Sequence, residues 1–383
     1  MSVHNIVIIG ASFGGISVAQ GLLKTTIPQL TQTGKQYKVI QIAPNDEFFW
    51  KIAAPRVIAN PNAMPLNKAL LPITPHFKDY KPEQYEFIKA YVTSIDPSSK
   101  TVHTSTSAAV HYDSLVIASG TTFESAIWTV TDGSEALRAA LKEIHEKLPS
   151  AQTILVAGGG PAGVETTGEL GETYGKKKDI TFLSGSTSLL PRIQNKKVGQ
   201  DAQNRLEKMG VKVINDNLKV VSYTQEGGKY VLKLSNGETR TVDVFIEATG
   251  DKPNSKFIPQ EWLDEKRRVK TDPHTLRLDV PGVTGVYCIG AVGNYSDGSV
   301  MDVRFAKPAI VESIKSDLQG QALGPRTKNI YKKFQSDMQI VPVGSQGGVG
   351  VLFGWKAPSF IVKVAKAKDF MIGQAVKVVE GTA

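Results

Sequence analysis

Two apolar runs along the chain end in glycine-rich turns. The first run covers residues 5–9 and leads into Gly-Ala-Ser-Phe-Gly-Gly at 10–15, and the second covers residues 153–157 and leads into Gly-Gly-Gly-Pro-Ala-Gly at 158–163. A short, uninterrupted apolar run bounded by glycine is typical of a buried strand in a parallel sheet. Because a run with helical spacing follows each turn, the pattern predicts a strand–turn–helix unit at both places.

The strands that close these two units also resemble each other. Residues 115–120 end in Ala-Ser-Gly, and residues 244–250 end in Ala-Thr-Gly. Two units of similar size favour a duplicated nucleotide-binding domain over a solenoid of short repeats. A further apolar run at 285–290 predicts another buried strand, with a helix from Pro308 to about residue 320. From about residue 321 the composition changes, which predicts a third, smaller unit.

Both turns are suited to binding a pyrophosphate. Their glycines allow close backbone approach, and the following helix directs its N-terminal N–H groups and its dipole toward the anion. Ser12 stands where the first turn would have its second glycine, and its hydroxyl can donate to a phosphate. The candidate dinucleotide-binding residues are Gly10, Ser12, Phe13, Gly14 and Gly15 in the first turn, and Gly158, Gly160, Pro161, Ala162 and Gly163 in the second.

Two other interpretations of these turns stay open. Residues 10–14 also fit the G-x-S-x-G nucleophile elbow, although the second turn has no serine and no downstream acid and histidine can be assigned. Alternatively, both segments are ordinary strand-to-helix turns that bind no ligand.

Composition narrows the class of protein. Of 383 residues, 41% are hydrophobic and 21% are charged, which is ordinary for a globular protein with a sizeable core. A single cysteine, Cys288, lies in an apolar run, so the sequence excludes a CxxC dithiol relay and predicts a buried, inert thiol. The net charge of +9 favours anionic partners, but no basic-aromatic module points to nucleic acid.

No apolar stretch is long enough for a transmembrane helix, and the first strand leaves no room for a signal peptide. We therefore expect a cytoplasmic protein that can associate with a membrane surface. The six histidines have no metal-ligand spacing, so no metal site is predicted.

With these residues in view, the whole chain resembles fungal members of the apoptosis-inducing-factor family, of the mitochondrion-associated type. These FAD/NAD(P)-binding proteins have a pyridine nucleotide-disulfide oxidoreductase-like fold and are related to type II NADH:quinone oxidoreductases. The segments that carry the resemblance are residues 8–15, 48–56, 112–120, 158–170, 248–254, 352–355 and 366–373.

The resemblance implies an α/β fold with two Rossmann-like dinucleotide-binding domains and a small C-terminal α+β unit. Residues 1–121 and 252–322 would bind FAD, residues 122–251 would bind NAD(P)H, and residues 323–383 would form an interface domain. This last unit would contact a membrane surface or a second copy of the chain.

The resemblance also assigns roles to single residues. Lys51 and Arg56 would lie against the flavin, where a cation stabilises the reduced, anionic ring. Glu165 would help to orient the nicotinamide, and its pairing with Lys51 is a hypothesis; an ordinary acid in the first helical turn is the alternative. The remaining cofactor-binding candidates are Val92, Ser119, Gly120, Ser184, Thr249, Gly250, Gly290 and Ala291.

Two positions depart from the family pattern. Ala43 replaces the acid that normally binds the adenosine ribose of FAD, unless Asn45, Asp46 or Glu47 folds back to substitute. Ala291 replaces the aspartate that binds the ribityl chain, and Asp297 or Asp302 would have to compensate.

The strand at 180–183 in the second half is followed by Ser-Gly-Ser. This segment has neither an acid that would bind the ribose of NADH nor an arginine that would bind the 2′-phosphate of NADPH, so the choice of nucleotide stays open.

These observations predict a flavoprotein that transfers a hydride from NAD(P)H to FAD and then passes electrons to a quinone-like or small organic acceptor. Because no cysteine pair is present, transfer would run directly from flavin to acceptor. One alternative is an enzyme that has lost or repurposed its flavin for non-redox chemistry on a metabolite, as Ala43 and Ala291 suggest. Another is a nucleotide-responsive binding protein.

Overall fold

The computed structural model describes residues 3–30, 34–321, 323, 329–333 and 338–382. The strands are β1 Val3–Ile9, β2 Gln36–Ala43, β3 Glu47–Phe49, β4 Leu70–Pro72, β5 Tyr85–Lys89, β6 Val92–Asp96, β7 Thr101–Thr104, β8 Ala109–His111, β9 Ser114–Ile117, β10 Thr121–Thr122, β11 Thr153–Ala157, β12 Asp179–Leu183, β13 Val211–Ile214, β14 Val220–Glu226, β15 Lys229–Leu234, β16 Thr239–Val242, β17 Val244–Glu247, β18 Lys252–Pro253, β19 Val286–Cys288, β20 Gln339–Pro342, β21 Gly348–Leu352 and β22 Trp355–Lys356. The helices are α1 Phe13–Gly21, α2 Ile27–Leu30, α3 Ala54–Ala59, α4 Leu66–Ala69, α5 Ser134–Lys147, α6 Pro161–Tyr174, α7 Lys196–Lys208, α8 Val300–Leu318, α9 Ser359–Val362 and α10 Gly373–Val379.

Both halves of the chain are built on a parallel sheet, and the order β5-β2-β1-β9 in the first sheet corresponds to β13-β12-β11-β17 in the second, with β19 as an additional edge strand of the first. The first sheet runs β19-β9-β1-β2-β5, and the second runs β13-β12-β11-β17. In each sheet the strand that precedes the glycine turn, β1 or β11, lies between two neighbours that are parallel to it. A three-stranded antiparallel sheet precedes the closing strand in each half: β6-β7-β8 before β9, and β14-β15-β16 before β17. The predicted duplication of an α/β nucleotide-binding fold is confirmed.

The apolar first strand is explained by burial on both of its faces. Ile6 and Ile8 pack into one hydrophobic cluster, while Val7 and Ile9 pack into another on the opposite side of the sheet. All four side chains are buried. Because successive strand residues point to opposite faces, a strand covered on both sides needs an uninterrupted apolar run.

The two halves are connected by a pair of short strands. The chain leaves the first half through β10 and returns through β18, and these strands pair antiparallel, with Thr121 opposite Pro253. The C-terminal unit combines the antiparallel sheet β20-β21-β22 with α9 and α10. It packs against α6 and α7 of the second half and, through α10, against α1 of the first half. The predicted small α+β unit is thus present.

One predicted helix begins earlier than the sequence pattern indicated. Helix α8 starts at Val300, and Pro308 lies inside it. A capping box formed by Ser299 and Asp302 fixes its first turn, and this stabilises a start well before the proline. In the adjacent β19, Cys288 is fully buried, and burial raises the pKa of its thiol, in agreement with the predicted inert cysteine.

Candidate functional site

The first glycine of each turn faces the end of a neighbouring strand. Gly10 and Gly158 have φ values of +112° and +121°. A Cβ at Gly10 would lie 2.4 Å from the carbonyl oxygen of Ala118, and one at Gly158 would lie 2.3 Å from that of Ala248. These positions are equivalent in the two halves, and their positive φ and tight contacts require glycine.

The last glycine of each turn brings the helix against its own strand. A Cβ at Gly15 would be 2.0 Å from the carbonyl oxygen of Gly10, and one at Gly163 would be 1.9 Å from that of Gly158. Helices α1 and α6 therefore start directly above the strands that precede them. This is the close helix–strand packing that a dinucleotide-binding turn requires.

The N-cap residues of the two helices stand in the middle of the turns. Ser12 and Gly160 are the N-cap residues of α1 and α6, and neither helix has a side-chain cap or an acid in its first turn. A Cβ at Gly160 would meet nothing within 4 Å. Helix N-terminal amides without side-chain caps favour an anion at both turns, and the open space at Gly160 gives the second turn room for a diphosphate.

A large cavity extends from the second turn. Its volume is about 2710 Å³, and both halves and the C-terminal unit contribute to its wall. The predicted site residues that line it are Phe13, Lys51, Gly158, Gly160, Pro161, Ala162, Glu165, Ser184, Thr249 and Gly250. The predicted residues outside this lining are Gly10, Ser12, Gly14, Gly15, Arg56, Val92, Ser119, Gly120, Gly163, Gly290 and Ala291.

Lys51 is one of the two predicted cations of its segment, and it lines this cavity. Burial lowers the pKa of Lys51, and the carboxylate of Asp251 acts in the opposite direction. Both residues line the cavity, and Lys51 has no hydrogen-bond or ion-pair partner in the part of the chain that the structure describes. A partly desolvated ammonium group without a partner can stabilise negative charge that develops on a bound molecule.

Glu165 pairs with a different lysine from the one that the sequence suggested. Its Oε1 lies 2.6 Å from Nζ of Lys366, which belongs to the C-terminal unit, so the hypothesis of a Lys51–Glu165 pair is wrong. Glu165 is 4% exposed. Burial raises the pKa of its carboxyl group, and Lys366 opposes that rise. Both members of the pair line the cavity.

Arg56 is buried in the protein interior and makes structural contacts. Its Nε and Nη2 donate to the two carboxylate oxygens of Glu169 at 2.7 and 2.8 Å, and two further hydrogen bonds reach the carbonyl oxygens of Lys368 and Ala367. The guanidinium also lies 4.7 Å from the ring centroid of Phe370. Because its donors are already engaged, the expected role of Arg56 against the flavin is wrong: it joins α3, α6 and the C-terminal unit.

The polar residues after β2 do not replace the missing acid at Ala43. The side-chain amide of Asn45 donates to a backbone oxygen at 2.8 Å, and Asp46 pairs with Lys89 at 2.8 Å. Glu47 pairs with an arginine of α5 at 2.6 Å. The loop therefore leaves no free carboxylate at the end of β2.

The acids near Ala291 are also engaged in other contacts. Asp302 accepts hydrogen bonds from Ser296 at 2.9 Å and from the backbone of Asp297 at 3.0 Å, and it belongs to the capping box of α8. Asp297 pairs with Lys333 at 2.8 Å. Both acids line the cavity, but their present contacts hold the start of α8 in place.

Several other predicted residues make backbone contacts at the strand ends. Ser119 donates to the carbonyl oxygen of Asn254 at 2.8 Å, and Gly120 has a φ of +65°. Gly290 has a φ of +90°, and its N–H donates to the hydroxyl of Tyr295 at 2.8 Å. Val92 begins β6, where it pairs with a strand neighbour. Thr249 donates its hydroxyl to Glu247 at 2.7 Å.

Among the cavity-lining residues that sequence reasoning missed are Lys366, Trp50 and Asp251. Lys366 is 201 positions from Glu165, and no local pattern relates them. Trp50 is buried and donates to the carbonyl oxygen of Phe370 at 2.9 Å, while Asp251 acts on Lys51 through its charge. Trp50 and Lys366 lie in segments that carried the family resemblance, which is the signal that could have selected them.

With this geometry established, comparison with known proteins identifies the family. The sequence model of the pyridine nucleotide-disulphide oxidoreductase family matches residues 4–309. The chain belongs to this family. The predictions of an NAD(P)H oxidoreductase and of FAD and NAD(P)H as cofactors are confirmed at the level of the family.

Two fungal relatives match almost end to end. Oxidoreductase phnG of Penicillium herquei is 32% identical, with 97% of this chain and 94% of that protein covered. Oxidoreductase ptaL of Pestalotiopsis fici is 32% identical, with 99% of each covered. Apoptosis-inducing factor homolog A of Dictyostelium discoideum is 24% identical over 96% of this chain and 90% of its own length, in agreement with the predicted resemblance.

Solved structures share the fold. The sulfide:quinone oxidoreductase from Aquifex aeolicus superposes with a TM-score of 0.75 at 18% identity, covering 99% of this chain and 92% of that one. NDH2 from Plasmodium falciparum, solved in complex with NADH, gives a TM-score of 0.67 at 14% identity, with 98% of each chain covered. Among the described residues, no helix is long and apolar enough to cross a membrane.

Proposed function

We propose that this protein transfers a hydride from NAD(P)H to FAD and two electrons onward to an apolar, quinone-like acceptor. In the net reaction, NAD(P)H, a proton and the quinone give NAD(P)⁺ and the quinol. One observation supports this most strongly: a single cavity joins the second glycine turn, the cations Lys51 and Lys366, and an apolar wall from the C-terminal unit. The nucleotide and the acceptor can therefore meet in one space, which Phe13 of the first turn also lines.

The two cofactors would bind to different parts of the chain, as the resemblance implied. Residues 1–121 and 252–322 would bind FAD through the turn at 10–15, and residues 122–251 would bind NAD(P)H through the turn at 158–163. FAD, when bound, supplies the ring that takes a hydride from NAD(P)H and gives two electrons to the acceptor. In both turns the helix N–H groups without side-chain caps would hold the diphosphates.

The residues of this chain would supply charge and protons. Burial lowers the pKa of Lys51, and Asp251 opposes this. In its protonated form Lys51 has no hydrogen-bond or ion-pair partner among the described residues, so its charge would be available to stabilise a negatively charged ring. Glu165 and Lys366 form a hydrogen-bonded pair at the cavity wall, and burial raises the pKa of Glu165. Such a pair can hold a proton near the acceptor without exposing the site to bulk water.

The acceptor class follows from the wall opposite the glycine turns. The C-terminal unit lines the cavity with Ile340, Val351, Leu352, Met371 and Val378. Apolar side chains favour a flat, apolar acceptor over a charged one.

The outer surface of the same unit supports contact with a membrane. Phe353, Trp355, Phe360 and Val364 are 64%, 81%, 68% and 78% exposed. The exposed lysines 356, 363 and 368 lie in the same segment. Exposed aromatic and aliphatic side chains combined with lysines match an anionic lipid surface, from which an apolar acceptor could enter directly. The alternative is that this face joins two copies of the chain, and sedimentation with anionic vesicles distinguishes the two.

The direct test is spectroscopic. The purified protein should be yellow after reconstitution with FAD, should bleach anaerobically with NADPH or NADH, and should regain its colour with a short-chain quinone. Lys51→Met should slow bleaching about tenfold or more, because it removes a charge that stabilises the reduced ring. Lys68→Met, an exposed lysine outside the cavity lining, is the matched control and should bleach at the normal rate. An FAD-loaded protein that neither nucleotide bleaches would contradict the proposal.

A second candidate rests on Ala43 and Ala291. Since neither position has a carboxylate and the nearby acids are engaged in other contacts, a flavin would be held more weakly here than in proteins that have both acids. An enzyme with a lost or repurposed flavin would be colourless, would ignore added FAD, and would still convert a metabolite.

A further inference from the structure

The end of β12 is the position at which a dinucleotide-binding fold reads the adenosine ribose. An acid there binds the 2′-hydroxyl of NADH, whereas a nearby cation accommodates the 2′-phosphate of NADPH. Strand β12 lies beside β11 in the sheet order β13-β12-β11-β17, and its last residue, Leu183, is followed by Ser184, Gly185 and Ser186. The loop that follows the strand, residues 184–188, contains no acid.

The two serines at this edge are engaged with their own loop. Ser184 donates its hydroxyl to the carbonyl oxygen of Ser186 at 2.7 Å, and Ser186 donates its own to that of Ser188 at 2.6 Å. The loop is packed tightly on the turn, because a Cβ at Gly159 would lie 2.8 Å from the carbonyl oxygen of Ser184. The serines therefore shape the edge without supplying charge.

A lysine from another part of the fold supplies the charge. Lys219 lies at the entry to β14, and its Cγ would be 3.6 Å from a Cβ at Gly185. Its N–H donates to the hydroxyl oxygen of Ser235 at 3.1 Å, and its carbonyl oxygen accepts the N–H of Ser235 at 2.8 Å, so its main chain is fixed. Lys219 and Gly185 line the same cavity, and the lysine has no ion-pair partner within the described ranges.

A second cation lies on the same wall. The N–H of Leu190 donates to the carbonyl oxygen of Gly159 at 2.8 Å, which places this loop over the glycine turn. Arg192 follows two residues later, is exposed and lines the cavity, and it too has no partner among the residues whose structure is described.

Neither cation forms an ion pair with an acid among the described residues. The carboxylate of Asp216 accepts the N–H of Leu218 at 3.2 Å, and Asp216 is not part of the cavity lining. Glu247 ends β17, on the opposite side of β11 from β12, and accepts the hydroxyl of Thr249. The wall beside the ribose position thus offers two cations, Lys219 and Arg192, that no described acid pairs with.

We infer that the second half selects NADPH over NADH, with Lys219 as the residue that binds the 2′-phosphate and Arg192 as a supporting cation. This inference rests on the proposed function for the binding of a nicotinamide dinucleotide at 158–163, and it adds the nucleotide. A phosphate at this position would meet a lysine without a partner, whereas a bare 2′-hydroxyl would find no acceptor carboxylate.

The test uses adenine fragments, which need neither flavin nor turnover. Isothermal titration calorimetry with adenosine 2′,5′-bisphosphate and with 5′-AMP should give about tenfold tighter binding of the bisphosphate, because one charged hydrogen bond to an exposed lysine has roughly that effect. Lys219→Ala should bring the ratio of the two affinities close to one. The matched control is Lys233→Ala, an exposed lysine on β15 outside the cavity lining, and it should keep the full ratio.

Three results would overturn the inference. They are equal affinities in the unaltered protein, tighter binding of 5′-AMP, and a ratio that survives Lys219→Ala. In each case bleaching of the FAD-loaded protein by NADH could still support the proposed function. If neither fragment nor either full nucleotide binds, the proposed function itself fails, so the two failures are distinguishable.

Discussion

Replacing Lys366 with methionine offers a sharp test of the buried pair in the cavity wall. Glu165 is 4% exposed, and its Oε1 lies 2.6 Å from Nζ of Lys366. Methionine keeps most of the apolar stem and removes the ammonium group. The variant therefore leaves a buried carboxylate without its cation and changes little else in the local packing.

The expected cost depends on the protonation of Glu165. Removing one partner of a buried ion pair typically destabilises a protein by about 3–5 kcal/mol when the remaining group stays charged. A carboxyl group can avoid this cost by binding a proton. Burial already raises the pKa of Glu165, and Lys366 opposes that rise, so Lys366→Met should raise the pKa further.

The sign of the pH dependence follows from linkage. An acid whose pKa is higher in the folded state loses stability as the pH rises from its unfolded pKa through its folded pKa. Below that window the carboxyl group is protonated in both states, and the missing lysine matters little. We expect Lys366→Met to lower the free energy of unfolding by about 1 kcal/mol near pH 5 and by about 3 kcal/mol near pH 8.

Urea denaturation at these two pH values measures the difference. The matched control is Lys363→Met, because this exposed lysine of the same segment bonds to the amide oxygen of Gln346 at 2.7 Å and to no carboxylate in the described structure. Its effect should be small at both pH values. The double variant Glu165→Gln/Lys366→Met should lose the pH dependence. An equal loss at both pH values in Lys366→Met would refute the reasoning.

Three further outcomes are expected. Gly163→Ala should abolish NAD(P)H binding in fluorescence titrations while FAD absorbance persists, because its Cβ would lie 1.9 Å from the carbonyl oxygen of Gly158; retained binding would contradict the role of this turn. Arg56→Met should lower the free energy of unfolding near pH 7 by about 3–5 kcal/mol, because Glu169 stays buried without its cation, and addition of Glu169→Gln should restore part of the loss. Trp355→Ser should reduce sedimentation of the protein with anionic vesicles. It should change the free energy of unfolding by less than about 0.5 kcal/mol, since the indole is 81% exposed. A shift from dimer to monomer with unchanged sedimentation would instead assign this face to a homodimer.

Local patterns were sufficient for the two glycine turns. The roles of Gly10 and Gly158 depend on a positive φ and on close approach to the strand beside them, and both requirements leave a visible glycine in the sequence. The apolar run of β1 was equally readable, because burial on both faces leaves no position for a polar residue.

The charged residues of the cavity were not readable in this way. Arg56 and Lys51 lie five positions apart in the same segment, yet the structure buries Arg56 against Glu169 and places Lys51 in the lining of the cavity. A lysine or an arginine in a sequence looks the same whether it pairs, packs or faces a ligand. Only the residues that the fold places around such a cation decide which of these outcomes occurs.

The sequence by itself determined the duplicated α/β plan, the place of both glycine turns and the absence of a cysteine pair, because each depends on neighbours within a few residues. The tertiary structure decided which cation pairs with Glu165, which wall of the cavity is apolar and that Lys219 lies beside the end of β12. Those contacts join segments far apart in the chain, and packing of whole elements, rather than any local pattern, brings such segments together.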